Sequence, residues 1–311
     1  MRFFVKRSQQ VHLYQHITII DMKFFQIFNK FVLFLISTSL FLAINGSLKV
    51  LFSCLLFNIF VSNLILAAFF VTFGIYGINK LTDIKEDAVN APERARYIRK
   101  KKTFILFVLF SFALSLFLGA FHDILSVPIL LFPLFTGVVY SVRVSPNFPR
   151  LKDITGIKNL VIAISWGVGS TFLPAICLPQ KNILMIAAVF YFFFIKSFIN
   201  TVLFDIRDIE GDRMSGVRTI PVVFGRQKTK NLLLLLNSTL IPWLAFSYLA
   251  GLFHQYLFVL IFAIVYGYGY ILHFCKEGIK IGKSLDLLVD GEWIPVVILC
   301  LVMQFVLLPY S

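Results

Sequence analysis

The chain has 311 residues, 59% hydrophobic and 14% charged, with a mean hydropathy of +0.88. A soluble domain carries about a quarter charged residues, so this composition excludes a water-soluble fold and makes lipid the solvent. The formal net charge of +14 then reflects membrane topology and attraction to anionic lipid, and no nucleic-acid partner is expected.

Residues 1–27 are basic and partly polar and carry no small-residue cleavage site, which reads as a cytoplasmic N-terminal segment rather than a removable signal. Residues 28–311 read as one transmembrane domain. Apolar stretches long enough for about 30 Å of hydrocarbon fall near 28–46, 50–78, 103–121, 124–142, 157–178, 183–204, 230–251, 256–275 and 293–309. The expected fold is an all-α membrane protein, a bundle of about nine transmembrane helices.

Charge sets its orientation. Arg2, Lys6, Arg7, Lys23 and Lys30, the cluster from Arg94 to Lys102, Arg143, Arg150, Lys152 and Lys158, the run from Arg207 to Lys230, and Lys276, Lys280 and Lys283 all fall on one side of a nine-crossing arrangement. The opposite side keeps Lys49 and Lys181, with Lys196 inside a crossing. The positive-inside rule makes the rich side cytoplasmic. The N-terminus is then cytoplasmic and the C-terminus outside, in the cell membrane. Cys54, Cys177, Cys275 and Cys300 show no metal-ligand spacing and read as small apolar residues.

Fourteen of the 15 acidic residues share the cytoplasmic side, and seven of them gather in two runs. At the end of the second segment, Asn79, Asp83 and Asp87 recur every fourth residue, which on a helix makes one stripe. At the end of the sixth, Asp205, Asp208 and Asp212 are spaced by three and four and are expected on one face. Two such stripes facing each other repel unless a cation lies between them. Hard oxygen donors suit magnesium, with manganese as a substitute. Magnesium held by few carboxylates completes its shell with water and phosphate oxygens, so a diphosphate is the expected ligand. Between the runs, Tyr140, Arg150, Lys152 and Lys158 form a third element able to hold diphosphate oxygens.

These residues resemble the UbiA-type superfamily of intramembrane prenyltransferases. Asn79, Asp83 and Asp87 match its Asn-x3-Asp-x3-Asp motif, and Asp205, Asp208 and Asp212 its Asp-x2-Asp-x3-Asp motif. The segment from Glu210 to Pro221, the Asn90–Arg94 stretch and the Tyr140-to-Asn159 element are similar to further family patterns. The chain departs from the family at Arg94-Ala-Arg96-Tyr97 and at Val144, which stands where a strict Tyr-x3-Lys spacing has lysine.

The resemblance implies magnesium-dependent transfer of a prenyl group from an isoprenyl diphosphate to a lipophilic acceptor. An aromatic quinone or pigment precursor comes first and a glycerol-type lipid second. It implies Asp83, Asp87, Asp205 and Asp208 as catalytic and Asn79, Tyr140, Arg150, Lys152 and Lys158 as substrate-binding. The six motif residues would hold the metal, in a site facing the cytoplasm. A divalent-cation transporter is the competing class, although transporters place ionisable groups near mid-membrane. Lys196 is expected at a separate helix contact or snorkelling, and Asp286, Asp290 and Glu292 in a solvated loop.

Overall fold

The computed structural model describes residues 26, 30–82, 101–141, 154–214, 216–279 and 281–307. Among them there is helix and no strand. Five helices are long and apolar enough to cross a membrane, six if a bent pair at the start counts as one span. Large apolar side chains such as Phe107, Phe110, Phe117, Phe121 and Phe258 point outward, as a lipid-facing surface requires.

The bent pair is α1 (Lys30–Ser37) and α2 (Leu40–Leu56), which meet at 73°. Ser39 takes φ 66° between them. The Lys80 ammonium donates to the carbonyls of Ile36 (3.3 Å) and Ser37, so it satisfies acceptors that the end of α1 leaves without an intrahelical partner.

After α2 the chain turns at Asn58 (φ 55°) and enters α3 (Ser62–Thr82). The expected boundary near residues 46–50 is therefore corrected. Asn45, Gly46 and Lys49 lie within α2, not in an outer loop. The hydropathy dips there because this face turns inward: Asn45 is buried and donates to Phe41 O at 2.8 Å, and Gly46 abuts Thr72 of α3. The Lys49 ammonium lies 5.2 Å from the Trp166 ring and 5.7 Å from the Trp293 ring, a cation–π arrangement inside the bundle. The true break, Phe57–Val61, is apolar apart from Asn58 and shows no dip.

Next come α4 (Lys101–His122), α5 (Ser126–Ser141), α6 (Ile157–Ala175) and α7 (Ile183–Arg207). A six-residue α8 (Ile209–Met214) follows, then α9 (Ile220–Ser238), which bends at Gly225 (φ 78°), and α10 (Leu240–Leu249). The chain closes with α11 (Leu257–Phe274), α12 (Lys283–Val289), a 3-10 turn at Asp290–Glu292 and α13 (Trp293–Leu307).

Small residues let backbones approach, as helix pairs in lipid require. Gly74 faces the Phe112 ring and Gly77 faces Val108, bringing α3 onto α4. Helix α7 is the hub. Its Phe192, Phe193, Ile199, Leu203 and Ile206 are fully buried in a core shared with α2, α9, α11 and α13. That burial holds the C-terminal end of α7 in a fixed place, and Asp205 and Asp208 sit there.

Candidate active site

A cavity of about 260 Å³ opens between the ends of α3, α6, α7 and α12. Asn79 reaches it from α3, Lys158 from α6, and Asn200, Asp205, Arg207 and Asp208 from α7. Asp286 and Asp290 enter from α12 and the turn after it, while Ile36, Phe41, Tyr76, Ile162 and Phe204 form apolar walls. Tyr76 in turn stacks on Trp166 at 5.8 Å, nearly parallel.

The second acidic run is not a single helical face. Helix α7 ends at Arg207, Asp208 caps it at φ −95° and ψ 7°, and Asp212 lies on α8. Asp205 and Asp208 line the cavity, whereas Asp212 is not part of its lining. Burial pushes the Asp212 carboxyl above its ordinary range, against the opposing charge of Lys158.

The cavity carboxylates are held in different ways. Asp205 is buried, with Lys158 Nζ 2.9 Å from Oδ1 and Asn159 Nδ2 2.7 Å from Oδ2. Asp208 is gripped by Arg207, which donates from Nε at 2.9 Å to Oδ1 and from Nη2 at 3.3 Å to Oδ2. The remaining Arg207 nitrogen, Nη1, lies 3.7 Å from Asp286 Oδ2, so one guanidinium joins α7 to α12. Asp290 accepts from the Asn200 amide at 2.9 Å. Burial, with the like charge of Asp286, pushes its carboxyl up to about 6 against the Asn200 hydrogen bond.

Carboxylate and amide oxygens from two helix ends in one cavity are the hard donor set that suits magnesium. Of the six residues expected to hold the metal, Asn79, Asp205 and Asp208 line this cavity, together with the further oxygen-bearing side chains of Asn200, Asp286 and Asp290. The described residues contain no group of three or more His, Cys, Asp or Glu side chains gathered for a metal. Asp83 and Asp87 lie outside the described residues, as do Arg150 and Lys152. Tyr140 is on α5, in its last turn.

One expectation is met and one is corrected. Of the two places expected for Lys196, it takes the helix contact and does not snorkel. Its ammonium is buried 2.5 Å from Glu292 Oε1 and donates to Tyr270 Oη at 2.8 Å and Ala263 O at 3.1 Å. Nor is the segment before α13 a solvated loop, because Asp286 and Glu292 are buried and Gly291 packs on the Phe41 ring. Asn200 and Arg207 were not singled out by sequence. The available signal was the spacing of Asn200, Phe204 and Asp208, which repeats the fourth-residue stripe of the first motif.

The profile of the UbiA prenyltransferase family matches residues 31–284. The digeranylgeranylglyceryl phosphate synthase of Thermococcus gammatolerans is 28% identical over 176 residues, covering 53% of this chain and 58% of that protein. Its counterpart in Sulfolobus acidocaldarius is 26% identical over 222 residues, covering 68% and 75%. The chain thus spans little more than half the length of the first of these relatives. Among solved structures, a UbiA homolog from Archaeoglobus fulgidus bound to GPP and Mg2+ superimposes with a TM-score of 0.63 at 17% identity, covering 88% of this chain and 98% of that one. A digeranylgeranylglyceryl phosphate synthase structure gives 0.56 at 20% identity, covering 87% and 96%. These likenesses extend over nearly the whole fold.

Proposed function

Because this chain belongs to the UbiA prenyltransferase family, we propose that it transfers the prenyl group of an isoprenyl diphosphate to a glycerol-type lipid, with magnesium held between the ends of α3 and α7. It is a multi-pass membrane prenyltransferase. The single observation that carries the site assignment is the cavity that gathers Asn79, Lys158, Asp205 and Asp208. Asp83 and Asp87 follow Asn79 in the sequence and complete the first motif in this reading, and Asp212 completes the second.

Magnesium, when bound, would neutralise the diphosphate as its allylic C–O bond ionises. The chain's own residues do the rest. Asp205 and Asp208 would hold the metal, and Lys158 would contribute a cation toward the diphosphate oxygens. Tyr140, Arg150 and Lys152 are assigned to the same anion. Phe41, Tyr76, Ile162 and Phe204 exclude water, which would otherwise capture the allylic cation. The diphosphate and magnesium in the Archaeoglobus homologue support this choice of substrate and cation.

The acceptor follows the relatives. The expectation of an aromatic precursor gives way to the glycerol-type alternative, since the similar curated proteins are digeranylgeranylglyceryl phosphate synthases. In this reading residues 28–311 form one domain of nine crossings, preceded by a cytoplasmic segment 1–27. The site then faces the cytoplasm from the cell membrane. The test is to offer purified protein a panel of prenyl diphosphates with glyceryl phosphate lipids and aromatic acids, and to read products by mass spectrometry. Ether products support the proposal. Prenylated aromatics alone overturn the acceptor, and cation flux without diphosphate release overturns the reaction.

A further inference from the structure

An alcohol acceptor imposes a demand that the metal site does not meet. When a hydroxyl oxygen attacks the allylic carbon it must lose its proton, and general-base catalysis requires an acceptor within hydrogen-bond reach of that hydroxyl. The base must border the cavity and retain a lone pair not already committed to a cation.

The cavity carboxylates differ in this respect. Both oxygens of Asp205 are held by Lys158 and Asn159, and both oxygens of Asp208 by Arg207. Asp286 faces the same guanidinium at 3.7 Å. Asp290 is held by a neutral group, the Asn200 amide, at 2.9 Å. The charged groups around it are Asp286 on α12, Arg207 on α7 and Lys49 on α2. Depth separates them as well. Asn200 precedes Asp205 by five residues, about 7.5 Å along α7 at 1.5 Å per residue. Asp290 therefore borders the membrane-inward part of the cavity, beyond the carboxylates assigned to the metal. With the diphosphate anchored at the mouth, the prenyl carbon C1 lies on that inward side.

We infer that Asp290 is the catalytic base that accepts the proton of the acceptor hydroxyl, positioned by Asn200 and by the packing of Gly291 on Phe41. The inference rests on the alcohol acceptor proposed above. In the step, the allylic C1–O bond breaks and its electron pair leaves with the diphosphate. A lone pair of the hydroxyl oxygen forms the new C1–O bond, and the O–H pair returns to that oxygen as the proton passes to Asp290. The turn then releases the proton toward the cytoplasmic mouth. Its carboxyl, raised toward neutrality by burial, is suited to taking up and releasing a proton.

The experiment uses the full chain with saturating magnesium, geranylgeranyl diphosphate and a monoprenyl glyceryl phosphate, and follows ether product, prenyl alcohol and released diphosphate together. In Asp290→Asn, ether formation falls about 100-fold or more, the usual scale of general-base catalysis. Diphosphate release persists as water captures the prenyl group to give prenyl alcohol. Asp290→Glu keeps a carboxylate and keeps the parental ratio of ether to alcohol, even if slower overall. Ether formation at the parental rate in Asp290→Asn overturns the inference. So does an equal loss of ether and diphosphate release, or a raised magnesium requirement, because either makes Asp290 part of the metal site. A Glu variant that partitions like the Asn variant overturns it too. A parent chain that makes no ether overturns the acceptor proposal first, and is recognised before any variant is compared.

Discussion

Lys158 and Asp205 meet at 2.9 Å across the α6–α7 contact. The side chain of Asp205 is 3% exposed and that of Lys158 is 39% exposed. The lysine thus compensates a buried carboxylate from one side while part of its length borders the cavity. In the proposed reading it serves both the carboxylate site and the anion site, and substitution separates those roles.

Lys158→Met should raise KM for the prenyl diphosphate with little change in kcat, because the ammonium as proposed would contact the anion before and during ionisation alike. A charge-assisted contact of about 1.5–3 kcal/mol corresponds to roughly a ten- to hundredfold rise. Steady-state kinetics at saturating magnesium measure it. A KM indistinguishable from the parent would reduce Lys158 to a partner of Asp205.

Asp208→Asn should do the reverse. The amide keeps the size and part of the Arg207 contact but removes the charge proposed to hold the magnesium. Loss of one preorganised electrostatic contact at developing charge costs about 10²–10³ in kcat. Diphosphate release should also stop in EDTA and return with added magnesium. Full turnover of the Asn variant, or of the parent in EDTA, contradicts the metal assignment.

The buried Lys196–Glu292 pair ties α7 to the turn that carries Asp290. Removing one partner leaves an uncompensated charge in the bundle. Glu292→Leu or Lys196→Met should each destabilise the protein by about 3–5 kcal/mol, seen as a lower Tm in detergent. The double variant removes both charges and should recover most of that loss, since a buried pair often adds little over an apolar pair. If the double variant is as unstable as the sum of the singles, the two residues are not coupled.

Much of this site is legible in the chain because its signals are local. Fourth-residue spacing marks Asn79, and the Asp-x2-Asp-x3-Asp run marks Asp205 and Asp208, all of which border one cavity. The remainder depends on tertiary placement. Lys49 reads as an outer-loop charge because a buried polar stripe on α2 lowers hydropathy as a loop does. Asp286 and Asp290 read as solvated because nothing near them in the sequence reveals that Arg207 and Asn200 wait on α7. Asp212 follows a helical spacing that the chain abandons at Asp208.

The orientation can be tested directly. Gln180 is exposed between α6 and α7, and Ser284 is exposed on α12, near the cavity residue Asp286. With the nine-crossing arrangement and a cytoplasmic site, a cysteine at position 180 should react with an impermeant thiol reagent added outside intact cells. One at position 284 should react only after permeabilisation. Native Cys177 lies three residues from position 180 and is partly accessible, with His122 Nε2 3.0 Å from its sulfur. The background therefore carries Cys177→Ala, while Cys54, Cys275 and Cys300 are buried and stay. Labelling of both positions from outside would mean an even number of crossings between them and would break the arrangement. Labelling of position 284 alone would keep the fold but turn the cavity, with Asp205 and Asp208, toward the exterior.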